Sequence, residues 1–215
     1  MKNDITELVF ILDMSGSMSG LTDDTIGGFN SMLRSQKGKQ DRAYVTTYIF
    51  NNRSRMLHDR KPIDEIPDLT GADYCPSGCT ALMDCMGEAI THIEQIHRYV
   101  RPEDVPEKTL FIITTDGMEN DSHRYSSEEI KKMVERKTEE GWEFIYLAQN
   151  IDAVETAKNY GIRADMAVDC MPDAAGTSLQ YEAMNIAVRE CRARVPEPCG
   201  NFRKNIDEDY RRRRN

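Results

Sequence analysis

At 215 residues, with 39% hydrophobic and 30% charged side chains, the chain is long enough for one large domain whose core lies under a polar surface. A formal net charge of −9 argues against a general binder of nucleic acid or of anionic membranes. No segment approaches the ~20 apolar residues of a membrane span. Residues 1–7 lack the basic start and apolar core of a signal peptide, so the expected setting is the cytoplasm.

The first element is the run Leu8 to Leu12, continuously apolar, which suits a strand buried on both faces of a sheet. It stops at Asp13, and small polar residues follow: Ser15, Gly16, Ser17, Ser19 and Gly20. Leu21 to Lys37 reads as a helix, with Ile26, Phe29, Met32 and Leu33 at helical spacing. Gly27 and Gly28 weaken it locally and suggest close packing against a sheet. Arg42 to Phe50 alternates and is rich in Tyr, Val, Thr and Ile, a strand pattern. Asn51-Asn52 marks a turn, and Arg53 to His58 is expected to return as an antiparallel edge strand. Pro62 suits the first position of a short helical turn at Ile63 to Ile66.

A long loop from Leu69 to Cys79 precedes an amphipathic helix that runs from about Ala81 to Tyr99. Thr109 to Thr115 is the second strongly buried strand, and it too ends in an acidic turn, Asp116-Gly117-Met118-Glu119-Asn120-Asp121. Ser126 and Glu129 form a capping box for a helix to about Glu140. Trp142 to Ala148 is a third core strand, Asp152 opens a helix to Tyr160, and Met166 to Val168 is a short last strand. Thr177 to Arg194 is the final helix. The expected domain covers residues 1–195, and residues 196–215 read as a charged, solvated tail ending in Arg211–Arg214.

Strands alternate with helices, so the class is α/β: a Rossmann-like, mostly parallel sheet with one antiparallel edge strand and helices on both faces. Open sheets of this kind bind ligands at the carboxyl ends of their strands, near the switch in strand order. Asp13 and Asp116 both fall at such ends. Asp13-Met-Ser15-Gly-Ser17 offers one carboxylate and two hydroxyl oxygens on a curled loop, the donor type of a hard cation. The same residues also serve turns and helix starts by accepting from amides. Six cysteines are present, Cys75, Cys79, Cys85, Cys170, Cys191 and Cys199, and reduced thiols are expected for all. A zinc site at Cys75, Cys79 and Cys85 lacks a Cys-x-x-Cys pair and a nearby His, which favours plain packed thiols.

Three pieces, Asp13-x-Ser15-x-Ser17, Thr80 in Gly78-Cys-Thr80-Ala-Leu, and Asp116 in Thr114-Thr115-Asp116-Gly117, together resemble the von Willebrand factor A (VWA) family and its metal-ion-dependent adhesion site. The run from Gly141 to Leu147 is similar to bacterial stand-alone members. The resemblance implies one divalent cation, Mg²⁺ with Mn²⁺ or Ca²⁺ as alternatives, held by Asp13, Ser15, Ser17, Thr80 and Asp116. It also implies a partner protein whose Glu or Asp completes the shell. Three hydroxyls and two carboxylates suit Mg²⁺, which takes six oxygens, and leave room for water or one outside oxygen.

Other constellations are less specific. Asp84, one helical turn after Thr80, could orient the Thr80 loop or simply cap its helix. Glu119 and Asp121 either shape the rim or are merely exposed, and His58, His92, His97 and His123 are scattered. Gly16 to Gly20 places Met18 where a hydrolase nucleophile would stand. The leading expectation is therefore a non-enzymatic, cation-dependent protein-binding module, without nucleic-acid or membrane partners, in an assembly that includes an ATPase. The alternatives are a Mg²⁺-dependent phosphohydrolase and a scaffold with a structural metal. Arg211–Arg214 reads as a solvated tail or a hook for an acidic partner or nucleic acid. The sequence leaves the oligomeric state open.

Overall fold

A computed structural model describes residues 3–195 and 201–214. Six strands form one sheet: β1 (Ile5–Asp13), β2 (Arg42–Phe50), β3 (Ser54–Pro62), β4 (Lys108–Thr115), β5 (Trp142–Gln149) and β6 (Ala167–Cys170). Their order is β3-β2-β1-β4-β5-β6, and all neighbours are parallel except β2 and β3. The chain moves outward on one side of β1 to β2 and β3, then crosses to β4 on the other side. The switch in strand order therefore lies between β1 and β4.

Helices cover both faces. α1 (Thr22–Gln36) and α5 (Ala174–Arg192) pack together on one; α2 (Leu82–Tyr99), α3 (Ser127–Glu139) and α4 (Ala153–Asn159) lie on the other. Every residue of β1 is buried, as its continuous apolar run requires of a central strand. Phe10 meets Phe29 edge to face at 5.4 Å between ring centroids, and Phe111 stacks on Phe144 at 4.9 Å. Ser126 and Glu129 form the expected capping box at α3.

Several expectations are corrected. Gly28 approaches α5 rather than the sheet: a Cβ there would lie 2.2 Å from the Tyr181 ring. β3 runs to Pro62 instead of stopping at His58, because a bulge lets the strand continue past Arg60, whose φ is 45°. Its polar composition hides this. Arg60 answers a charge buried on β1, its Nε donating to Glu7 Oε2 at 2.8 Å while Glu7 is fully buried. α5 begins at Ala174 because the Asp173 side chain accepts from Gly176 N and caps it. Beyond the last expected helix, the residues 204–214 that read as solvated tail form a further helix, α6 (Lys204–Arg214), packed on α5 and β6. Phe202 and Ile206 bury themselves there, an apolar pair too sparse to announce a helix against so many charges. Cys199, Pro196 and Pro198 lie outside the described residues. Among those described, no helix is long and apolar enough to cross a membrane.

Candidate metal centre

β1 and β4 end side by side and deliver Asp13 and Asp116 to the same edge. After Asp13 the chain leaves the sheet and curls through a 3-10 turn from Gly16 to Leu21, which turns Ser15 and Ser17 toward Asp116. The Ser17 hydroxyl donates to Asp116 Oδ1 at 2.7 Å, and the Ser15 hydroxyl reaches the same oxygen at 3.5 Å. The two serine oxygens are 3.1 Å apart. Asp13 is 1% exposed; its Oδ1 accepts from Ser15 N at 2.7 Å and its Oδ2 from the Thr115 hydroxyl at 2.6 Å. Thr80 arrives on the loop before α2. A Cβ built on Gly117 would stand 4.0 Å from both Ser17 Oγ and Thr80 Oγ1, so these hydroxyls flank one point of the Asp116 turn. All five residues singled out from sequence are thus brought to one place.

That place is laced together by groups the sequence reading passed over. Asn120 Oδ1 accepts from Thr80 N at 2.9 Å while Asn120 N donates to Thr80 O at 3.0 Å, a two-way clamp on the Thr80 backbone. Asn52 Oδ1 accepts from Cys79 N at 3.0 Å. Gly78 sits at φ 77°, and any Cβ there would strike that same Asn52 side chain, so only glycine fits the turn into Thr80. Gly16 N donates to Gly78 O at 3.0 Å and Ser77 N to Met14 O at 2.9 Å, which ties the two oxygen-bearing loops together. Tyr74 OH donates to the carbonyl of Asp13 from a fully buried position. None of these partners carries a local signal: a polar loop residue looks alike whether it binds its neighbour or a strand 40 positions away.

Asp84 and Glu119 resolve into structural roles. Asp84 accepts from the backbone N–H groups of His123, Arg124 and Tyr125, fastening the β4–α3 loop to α2 instead of orienting Thr80. Glu119 turns from the site and accepts from Met83 N at 2.9 Å, supplying from outside the cap that Ala81 cannot offer the α2 N-terminus. Cys85 is buried on the inner face of α2 while Cys75 and Cys79 are exposed in the loop, so the packed-thiol reading applies to Cys85 and not to Cys79.

The electrostatics match the donor set. Burial pushes the Asp13 carboxyl above its ordinary value, against the hydrogen bonds from Thr115 and Ser15, and the charge of Asp116 adds to the push. Burial raises Asp116 as well, against its hydrogen bond from Ser17. Among the described residues neither carboxylate has an ion-pair partner. Two buried acids without a cationic side chain, beside three hydroxyls, are a donor set that a hard divalent cation fits.

No family model matches the chain, and no curated protein matches it. Solved structures do. Proximal thread matrix protein 1 from the mussel byssus superposes with a TM-score of 0.58 at 15% identity, over 86% of this chain and 46% of that one. A second structure of it, described as having a zinc-occupied metal-ion-dependent adhesion site, gives 0.57. A von Willebrand factor type A structure from Catenulispora acidiphila gives 0.56 at 14% identity, over 86% and 42% of the two chains. Manganese-loaded TRAP protein from Plasmodium vivax gives 0.54 at 15% identity, over 83% and 72%. This chain spans less than half the length of the byssus and Catenulispora proteins. At these identities the likeness is one of fold, and the fold is VWA-like.

Proposed function

We propose that this VWA-like domain is a non-enzymatic module that captures a carboxylate of a partner protein at a divalent cation held by Asp13, Ser15, Ser17, Thr80 and Asp116. The observation that supports it is the convergence of two buried, unpaired carboxylates and three hydroxyls at the switch point of the sheet. A divalent cation there supplies an electrophilic position for an incoming carboxylate oxygen. The residues around it do the rest: Thr115 and Ser15 N–H orient Asp13, Ser17 orients Asp116, and Asn120 holds Thr80 in register. The preferred ion is Mg²⁺, because hydroxyl and carboxylate oxygens with room for water suit a small hard cation.

Phosphoryl transfer needs basic side chains to cradle the transferring group. Among the described residues the hydrogen bonds to Asp13 and Asp116 come from hydroxyl and amide donors, with no Lys or Arg, which favours capture over hydrolysis. The proposed setting is the cytoplasm, where the exposed thiols of Cys75 and Cys79 would stay reduced. The reading extends to a partner within an ATPase-containing assembly, which a pull-down in Mg²⁺ against EDTA identifies. Titration calorimetry with Mg²⁺ and Mn²⁺ tests the site itself. Saturable one-to-one binding is expected, weakened at least tenfold by Ser17→Ala at unchanged melting temperature; equal affinity of the two proteins would remove the site from the proposal.

A further inference from the structure

α6 runs beside β6, the edge strand. At its start, Arg203 Nη1 donates to the carbonyl of Ala164, just before β6 begins. At its end, Arg213 Nη1 pairs with Asp173 Oδ2 at 2.6 Å, just past the end of β6. Helix and strand therefore point the same way. Because β1, β4, β5 and β6 are parallel, the carboxyl end of α6 lies at the sheet edge that presents Asp13 and Asp116. Buried Phe202 and Ile206 fix the helix there, so the arginines are carried on a packed element.

That end carries Arg211, Arg212, Arg213 and Arg214 in succession. Basic residues suit the last turn of a helix because they face its partial negative charge. Four in succession, at 100° each, exceed what one helix end uses. Arg213 is partly buried between Asp173 and Asp209, whereas Arg211, Arg212 and Arg214, each in contact with its own helix, remain exposed on an otherwise strongly acidic protein. Arg212 pairs with Asp209 at 2.9 Å and Arg214 lies over Tyr210, contacts within the helix that leave both guanidinium groups solvated.

We infer that Arg211, Arg212 and Arg214 form a second contact surface for the same partner, an acidic protein segment whose leading carboxylate sits at the Asp13–Asp116 centre. The inference rests on the carboxylate-capture reading for its first contact and on charge complementarity for its second. From β4 to β6 is two strand spacings, about 10 Å, and the half-width of a helix adds about 5 Å. An extended segment advances about 3.3 Å per residue, so four or five residues cover the distance. The net charge of −9 repels such a segment from the domain on average, which makes the arginine platform a device for choosing clustered acids over isolated ones.

The test uses three labelled probes on the full chain, in Mg²⁺ and in EDTA: a decaglutamate peptide, a Gly/Ser decapeptide with one central Glu, and a ten-nucleotide oligothymidine. With Mg²⁺ the decaglutamate should bind at least tenfold tighter than the single-Glu peptide. Arg211→Gln/Arg212→Gln/Arg214→Gln should erase that preference, while the corresponding triple Lys variant, with its charge intact and the same melting temperature, should retain most of it. Undiminished decaglutamate binding by the Gln variant would overturn the inference, as would no decaglutamate preference in the wild type. Tighter binding of the oligothymidine than of decaglutamate would overturn it in favour of nucleic acid. Decaglutamate binding lost in the Gln variant but indifferent to EDTA would uphold the platform and refute the carboxylate-capture reading alone.

Discussion

Thr80 illustrates how a side chain can be supplied by one segment and placed by another. Its hydroxyl comes from the loop before α2, but its backbone is clamped in both directions by Asn120 of the β4–α3 loop. Asn120→Ala removes the acceptor for Thr80 N and leaves a largely buried amide without its partner, a cost of about 1–3 kcal/mol. Urea unfolding should show that loss, and Mg²⁺ affinity should fall with it, because the displaced hydroxyl is a proposed ligand. An affinity change without a stability change would mean that Asn120 acts on the ion and not on the loop. His58 offers a separate residue-level test. It is buried with Nδ1 3.0 Å from the Thr47 hydroxyl, and burial, reinforced by Lys61, lowers its pKa from the ordinary 6.5. The unfolded chain therefore takes up a proton there before the folded one does. The stability this group contributes is complete above about pH 6.5 and is lost as the pH falls from there toward the lower folded value. Urea midpoints at pH 7.5 and 5.5 should differ more for the wild type than for His58→Asn, whose amide keeps a polar group beside Thr47; parallel shifts would exclude His58 as the source.

At the scale of elements, helix contact is set by what is missing as much as by what is present. α1 and α5 share one face of the sheet, and Gly28 lets the Tyr181 ring lie where a side chain would stand. Gly28→Ala gains helix propensity of about 1 kcal/mol. It also places a methyl 2.2 Å from the ring, and such overpacking costs about 1–3 kcal/mol and forces the ring to move. A lower urea midpoint is expected, and Gly28→Ala with Tyr181→Leu should recover part of the loss. Gly27, one residue earlier, has open space for a Cβ, so Gly27→Ala should stabilise the same helix. A stabilised Gly28→Ala protein would show that α1 and α5 are less closely packed than described.

For the molecule as a whole, the proposed site is an arrangement of buried acids whose charge a bound cation would offset. Asp13 and Asp116 are buried acids held near each other, and an ion that binds only the folded state adds RT ln(1 + [L]/Kd) to stability. At a hundredfold excess over Kd this is about 2.7 kcal/mol, which for a domain of this size raises Tm by roughly 5–10 °C. Thermal melts with and without Mg²⁺ should show that rise, and Asp116→Asn, with one carboxylate fewer, should show little of it. A Tm indifferent to Mg²⁺, Mn²⁺ and Ca²⁺ would argue against a site that binds any of them in the folded state.

The sequence alone determined the alternation of strands and helices, the central place of β1 and β4, and the residues Asp13, Ser15, Ser17, Thr80 and Asp116 that now share one edge. These were legible because periodicity, caps and strand-terminal acids are local, and a buried strand must be apolar wherever it lies in the chain. Only the tertiary structure decided that Asn120 clamps Thr80, that Arg60 answers Glu7, that Gly28 faces Tyr181 rather than the sheet, and that residues 204–214 form a helix whose arginines lie at the carboxyl end of β6. Each of these depends on a partner far away in the chain. A polar side chain, a glycine or an isolated Phe202 has the same local pattern whether its partner is solvent or another element, and the fold brings that partner to it.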